Sequence, residues 1–238
     1  MQIKRPIIAL DFPSRNETMQ FLSEFPKDES LFVKIGMELY YSEGPDIVRE
    51  IKSLGHDVFL DLKCHDIPHT VENAMRVLGK LGIDLTTLHA SGGSEMMTAA
   101  KSGILDGSNG NSVTKLLAIT QLTSTNQRMV TEEQFVSTSL KESVLNYARL
   151  AKKVGMDGIV CSAQEAKSIV AETGESFLRV TPGIRLAGGA VGDQKRVMTP
   201  DEAARNQSSA IVVGRTITQA KDRVSAYQTV KKLWEDAK

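Results

Sequence analysis

The stretch Phe59-Leu60-Asp61-Leu62-Lys63-Cys64-His65-Asp66-Ile67-Pro68-His69-Thr70 carries an apolar run straight into a dense group of charges. Val58-Phe59-Leu60 reads as a buried strand, and the charges stand where a strand ordinarily hands over to a turn. Side chains alternate along a strand, so Asp61 and Lys63 share a face, about 6 to 7 Å apart along the chain. Pro68 suits the first position of a following helix, where its missing N–H costs nothing. The charges therefore occupy a strand-to-helix corner. Taken alone, D-x-K-x-x-D reads more readily as a solvated ion pair beside a helix start, so the surrounding chain has to decide.

Outward from that corner the same unit recurs along all 238 residues: a short apolar strand, a few polar residues, then a helical pattern. Strands are expected at 6–11, 31–35, 58–60, 83–88, 116–120, 158–161, 177–180 and 210–214. Helices are expected near 16–25, 45–54, 68–81, 94–102, 141–154, 164–172 and 223–237, with Gly55 a candidate C-cap and 124–139 a loop with a short helix. Strands that are apolar without alternation are buried on both faces, as parallel sheets require. Eight such units predict an α/β protein, a single-domain (β/α)8 barrel spanning 1–238. An open doubly wound sheet is the alternative, but no G-x-G-x-x-G follows the first strand.

Composition narrows the function classes. Basic and acidic residues are equal at 29 each, so no net field draws the chain to nucleic acid or an anionic membrane. Cys64 and Cys161 are too few for a disulfide framework and too far apart for zinc spacing, which points to a reducing, cytoplasmic setting. No apolar run approaches the roughly 18 residues of a membrane span, and residues 6–10 are too few for a signal-peptide core. A protein that is neither membrane-bound nor exported is expected.

A barrel of this kind places its active site at the carboxyl ends of the strands, so polar residues should gather there and nowhere else along the strands. Asp11, Lys34, Asp61, Lys63, His89, Thr123, Thr181, Arg185 and Arg215 all fall at or just beyond expected strand ends, which turns a scattered set into one ring. Gly214-Arg215 is the leading phosphate site, because the last loops of such barrels often bind one and arginine offers a forked contact. A turn glycine beside a solvated arginine is the plainer alternative. Residues 186–194 read as a lid over that phosphate, with Gln194 able to bridge ligand groups, or simply as a flexible loop.

Six blocks carry a resemblance: Ile8-Ala9-Leu10-Asp11, Phe32-Val33-Lys34-Ile35-Gly36, Asp61-Leu62-Lys63-Cys64-His65-Asp66-Ile67-Pro68, Thr120-Gln121-Leu122-Thr123-Ser124, Val180-Thr181-Pro182-Gly183-Ile184-Arg185 and Ile211-Val212-Val213-Gly214-Arg215. In order and spacing, over essentially the whole chain, they resemble the bacterial type of the orotidine 5′-phosphate decarboxylase family. Cys64 and His69 depart from the family pattern. Cys64 is offset from the Asp61/Lys63 face and is expected to pack outward without catalytic consequence. His65 and His69 have an i, i+4 spacing, but Pro68 and the corner between them break the helix that metal ligation would need, so no metal site is expected.

The resemblance implies conversion of orotidine 5′-monophosphate to uridine 5′-monophosphate and CO2 without a cofactor. It gives Lys63, Asp61, Asp66 and Lys34 catalytic roles. Asp11 and Lys34 would hold ribose hydroxyls, Asp61 would lie against the departing carboxylate, Thr123 beside the pyrimidine, and Gln194, Gly214 and Arg215 at the phosphate, with Arg185 supporting that side. It also implies a homodimer in which Asp66 and Thr70 enter the partner's site. Two rivals remain: a Mg2+-dependent sugar-phosphate lyase sharing D-x-K-x-x-D, and a non-catalytic phosphoribosyl-binding barrel. The first needs an acidic metal ligand where this chain has Lys34, with Glu38 too far along to replace it. The second has no reason to keep Asp61, Lys63 and Asp66 together.

Overall fold

Runs such as Ile7-Ile8-Ala9-Leu10 and Ile211-Val212-Val213 are apolar on both faces, which suits a strand with one face inside a barrel and the other under helices. The computed structural model, which describes residues 3–110, 114–188 and 197–237, has that arrangement. Its first half contains β1 (Ile7–Leu10), α1 (Arg15–Ser23), β2 (Phe32–Ile35), α2 (Met37–Glu43), α3 (Pro45–Ser53), β3 (Asp57–Cys64), α4 (Pro68–Gly79), β4 (Leu85–His89) and α5 (Gly93–Gly107). Its second half contains β5 (Lys115–Ile119), α6 (Leu140–Lys153), β6 (Gly158–Val160), α7 (Ala166–Thr173), β7 (Leu178–Thr181), α8 (Pro200–Arg205), β8 (Ala210–Val213), α9 (Arg215–Thr218) and α10 (Arg223–Asp236). All eight strands are parallel and pair in sequence order, and β8 pairs back to β1 to close the barrel. No helix among the described residues is long and apolar enough to cross a membrane.

Three α-helices have no counterpart in the sequence reading. Helix α2 follows β2 after Gly36 alone, with no polar gap to mark its start, while α8 and α9 are only 6 and 4 residues long. Strand β3 runs on through its charges to Cys64, because the backbone continues to pair beyond the apolar core. Residues 124–139 form a loop around one π-helical turn, Met129–Glu133, in line with the loop and short helix expected.

The strands alternate between two cores. Ile7, Ala9, Phe32, Phe59, Leu85, Leu117, Leu178, Val180, Ala210 and Val212 fill the barrel interior. Ile8, Leu10, Val33, Ile35, Val58, Leu60, Leu88 and their neighbours pack outward under the helices, where Cys64 also lies as expected. Arg179 corrects the expectation that polar side chains gather only at strand ends. It sits within β7, is buried, and donates from Nε to the Gln207 carbonyl at 2.8 Å. Glycines set the seat of α4: a Cβ on Gly103 or Gly107 of α5 would collide with the carbonyl oxygens of Glu72 and Arg76 on α4.

The amino end of the barrel is tied by carboxylates that serve two purposes at once. Asp84 accepts from Val58 N–H and pairs with Lys52, both at 2.8 Å, and Asp157 accepts from Leu116 N–H at 3.0 Å and pairs with Lys115 at 3.1 Å. His56, 8% exposed, accepts the Leu31 N–H at Nδ1, 3.2 Å away. That contact needs an unprotonated Nδ1. Burial, followed by the nearby Arg5 guanidinium, pushes the His56 pKa below its ordinary value, with Asp57 opposing. An unfolded histidine titrates near about 6.5, so between that pH and the lower folded pKa the unfolded chain binds more protons. The stabilisation from neutral His56 is thus complete above that range and lost as pH falls through it. His89 is shifted in the same sense. Denaturation between pH 7 and 5 should show stability falling with acid, and His56→Gln should flatten the slope in part; an unchanged slope would exclude His56 as a contributor.

Candidate active site

The alternation that fills the barrel also aims the charges. Interior residues Ile7 and Ala9 are followed at the same spacing by Asp11, Phe32 by Lys34, Phe59 by Asp61, Leu85 by Thr87 and His89, and Val212 by Gly214. At the carboxyl end these columns meet as a chain of alternating charge. Lys34 Nζ lies 3.0 Å from Asp11 Oδ1 and 4.0 Å from Asp61 Oδ2, and Lys63 Nζ lies 2.7 Å from the same Asp61 Oδ2. Lys34 and Asp61 are largely buried, with 12% of each side chain exposed, whereas Asp11 is open to solvent at 64%. The two ammonium groups neutralise the two carboxylates, which offsets part of the cost of removing them from water.

Asp61 and Lys63 meet by a less regular route than alternation predicts. The β3–β4 register passes from Leu60↔Thr86 to Cys64↔Leu88, so residues 61–63 stand opposite Thr87 alone. Lys63 absorbs the excess at φ +54°, in the left-handed region, at a cost of roughly 1 to 2 kcal/mol for a residue with a Cβ. The side chain is thereby turned back onto Asp61. His89 stands close by, its ring centroid 5.6 Å from that of His65. Burial, then His65, then Lys63 hold His89 below its ordinary pKa, and Asp61 acts in the opposite direction. Burial pushes the neighbouring Cys64 thiol up.

Gly214 belongs to the same mouth. A Cβ there would lie 3.8 Å from Asp11 Oδ2 and 3.5 Å from Ala9 Cβ, and one on Gly36 would lie 3.2 Å from Lys34 Nζ. The glycines keep open space beside the charges. Arg215 is exposed at the next position and begins α9. Arg185 is half-buried; its Nη1 donates to the Ile184 carbonyl at 2.8 Å, and its backbone N–H donates to Met198 O at 3.0 Å. Residues 189–196 lie outside the described residues, and with them Gln194 and most of the lid expected at 186–194. Thr123 is half-buried in the loop beyond β5, where Gln121 donates to Gln134 at 2.9 Å and to Ser143 at 3.1 Å.

Other expected positions fall away from the cluster. Asp66 and Thr70 are exposed, and the Asp66 carboxylate accepts the Ile67 N–H at 2.7 Å instead of reaching Lys63. Thr181 leaves the ring: it is fully buried and bonded to Ser208 Oγ at 3.0 Å and Ala210 O at 3.1 Å. His69 faces Asn73 at 3.1 Å, whereas His65 lies against His89. Among the described residues no group of three or more His, Cys, Asp or Glu side chains is placed to hold a metal. Sequence reasoning missed Thr87, which bonds both Asp61 and Lys63, because a threonine within an apolar strand signals only strand propensity.

Comparison with known proteins identifies the family. Residues 4–230 match the model of the orotidine 5′-phosphate decarboxylase / HUMPS family. The chain is 65% identical over 236 residues to orotidine 5′-phosphate decarboxylase of Ligilactobacillus salivarius (strain UCC118), covering 99% of this chain and 100% of that one. It is 58% identical to the protein of the same name from Lysinibacillus sphaericus (strain C3-41), covering 97% and 98% of the two chains. The crystal structure of orotidine 5′-phosphate decarboxylase from Lactobacillus acidophilus superposes with a TM-score of 0.87 at 44% identity, over 97% of this chain and 98% of that one. The chain belongs to the orotidine 5′-phosphate decarboxylase / HUMPS family.

Proposed function

We propose that this chain decarboxylates orotidine 5′-monophosphate to uridine 5′-monophosphate, as a cytoplasmic homodimer and without a cofactor. The observation that carries the reading is the convergence of Lys34, Asp61 and Lys63 on one mouth, with Lys63 Nζ 2.7 Å from Asp61. When the C6–carboxylate bond breaks, CO2 leaves and its electron pair stays on C6 in an orbital the ring cannot delocalise. An ammonium held in place meets that charge. At about 4 Å and an effective dielectric near 20, each such contact is worth on the order of 4 kcal/mol. Lys63 then gives its proton to C6 and is reprotonated from solvent. Asp61 lies against the substrate carboxylate and holds Lys63 in line.

Asp11 and Lys34 bind ribose hydroxyls, Thr123 borders the pyrimidine, and Gly214, Arg215 and Gln194 take the phosphate, with Arg185 bracing that side. Binding the phosphate, remote from C6, supplies the energy that seats the reacting ring. Lys34 also weighs against a magnesium lyase: its ammonium lies between Asp11 and Asp61, where a divalent cation would otherwise be coordinated. Asp66 and Thr70 act in the partner's site. Their exposure in the single chain supports this assignment, as does Ile67 beside them, apolar and 66% exposed, which a second subunit would cover.

The direct test is loss of the orotate absorbance of orotidine 5′-monophosphate in EDTA. Turnover should proceed, and Lys63→Ala should abolish it while leaving nucleotide binding measurable. Dependence on added Mg2+ would favour the lyase, and near-normal Lys63→Ala turnover would remove Lys63 from its role. Sharing between subunits is tested by mixing Lys63→Ala with Asp66→Ala protein. Subunit exchange should restore partial activity, because one hybrid site regains both residues; verified exchange without recovery would refute action in trans.

A further inference from the structure

We infer that Thr87 is a positioning residue that sets the orientation of both Asp61 and Lys63; the inference rests on the decarboxylase reading above. Thr87 is fully buried on β4 and faces the barrel interior two residues beyond Leu85. Its hydroxyl donates to Asp61 Oδ1 at 2.9 Å and accepts the Lys63 backbone N–H at 2.9 Å. A carboxylate only accepts and a backbone N–H only donates, so a bridge between them needs an atom that does both, as a hydroxyl does. The register break leaves residues 61–63 opposite this one residue, and the Thr87 hydroxyl supplies the partner that a regular ladder would have given Lys63 N–H. Thr86 next to it bonds the Leu60 carbonyl at 2.9 Å, which secures the start of the bulge from the other face of the strand.

The consequence is directional. With Oδ1 held by Thr87, Asp61 presents Oδ2 to Lys63 Nζ at 2.7 Å and to Lys34 Nζ at 4.0 Å. The same hydroxyl holds the Lys63 backbone at φ +54°, the conformation that sends its ammonium back over Asp61. One oxygen atom therefore fixes the carboxylate plane and the lysine's point of attachment. A reacting group misplaced by about 1 Å can cost on the order of 100-fold in rate.

The experiment compares Thr87→Val, which keeps the shape without the hydroxyl, with Thr87→Ser, which keeps the hydroxyl. Wild-type turnover in the same assay is the control, and its absence would refute the decarboxylase reading separately. Thr87→Val is expected to lower kcat by about 10- to 100-fold with KM changed less than about threefold, while Thr87→Ser keeps most of kcat. In an Asp61→Asn background, Thr87→Val should have little further effect, because the group it orients is already altered. If valine prevents folding, Thr87→Ala replaces it with the same expectation. Full kcat without the hydroxyl, equal losses in valine and serine variants, or additive losses with Asp61→Asn would each overturn the inference.

Discussion

The Asp61 carboxylate stands between two ammonium groups, Lys63 at 2.7 Å and Lys34 at 4.0 Å, at the mouth of a closed parallel barrel. Charges so little exposed persist only when their partners are held by the fold, because removing one member leaves another buried and unpaired. The barrel provides that hold through the period of its strands. Residues that fill its interior at Ala9, Phe32 and Phe59 are succeeded two positions later by Asp11, Lys34 and Asp61. The packing that stabilises the fold is thus the same arrangement that sets the distances among the charges.

That arrangement suits a reaction whose intermediate is an anion without a conventional electron sink. Water would stabilise such a charge only after reorienting, whereas ammonium groups already fixed in a largely buried site need no such rearrangement. The local conformation of β3 serves the same end. A left-handed Lys63 is less stable than an ordinary strand residue, and the surrounding ladder, the Thr87 hydroxyl and the Asp61 contact hold it there. Next to this centre, the Asp66 corner that follows β3 is exposed.

Much of this was legible in the sequence. Apolar runs without alternation gave parallel strands, eight of them gave the barrel, and polar residues at their ends converged in space at Asp11, Lys34, Asp61 and Lys63. What escaped depended on backbone geometry. Nothing in Asp61-Leu62-Lys63 announces a register break or a positive φ, since both arise from pairing with β4. Thr87 and Thr181 are alike as strand threonines, yet one bonds Asp61 and the other bonds Ser208 and the Ala210 carbonyl. Arg179 lies within the expected seventh strand, and nothing in the sequence announces that its guanidinium serves the carbonyls of Gln207 and Phe177. Short helices such as α9 lack the repeated apolar spacing that marks a longer one.

The most direct test of preorganised charge is calorimetric comparison of uridine 5′-monophosphate with an analogue bearing an ionised oxygen at C6, using wild-type protein and Lys63→Ala. An enzyme complementary to the C6 anion should bind the anionic analogue at least about 100-fold more tightly, and Lys63→Ala should lose most of that preference. Equal affinity of the wild-type protein for the two nucleotides would contradict electrostatic stabilisation at C6 as the basis of its chemistry.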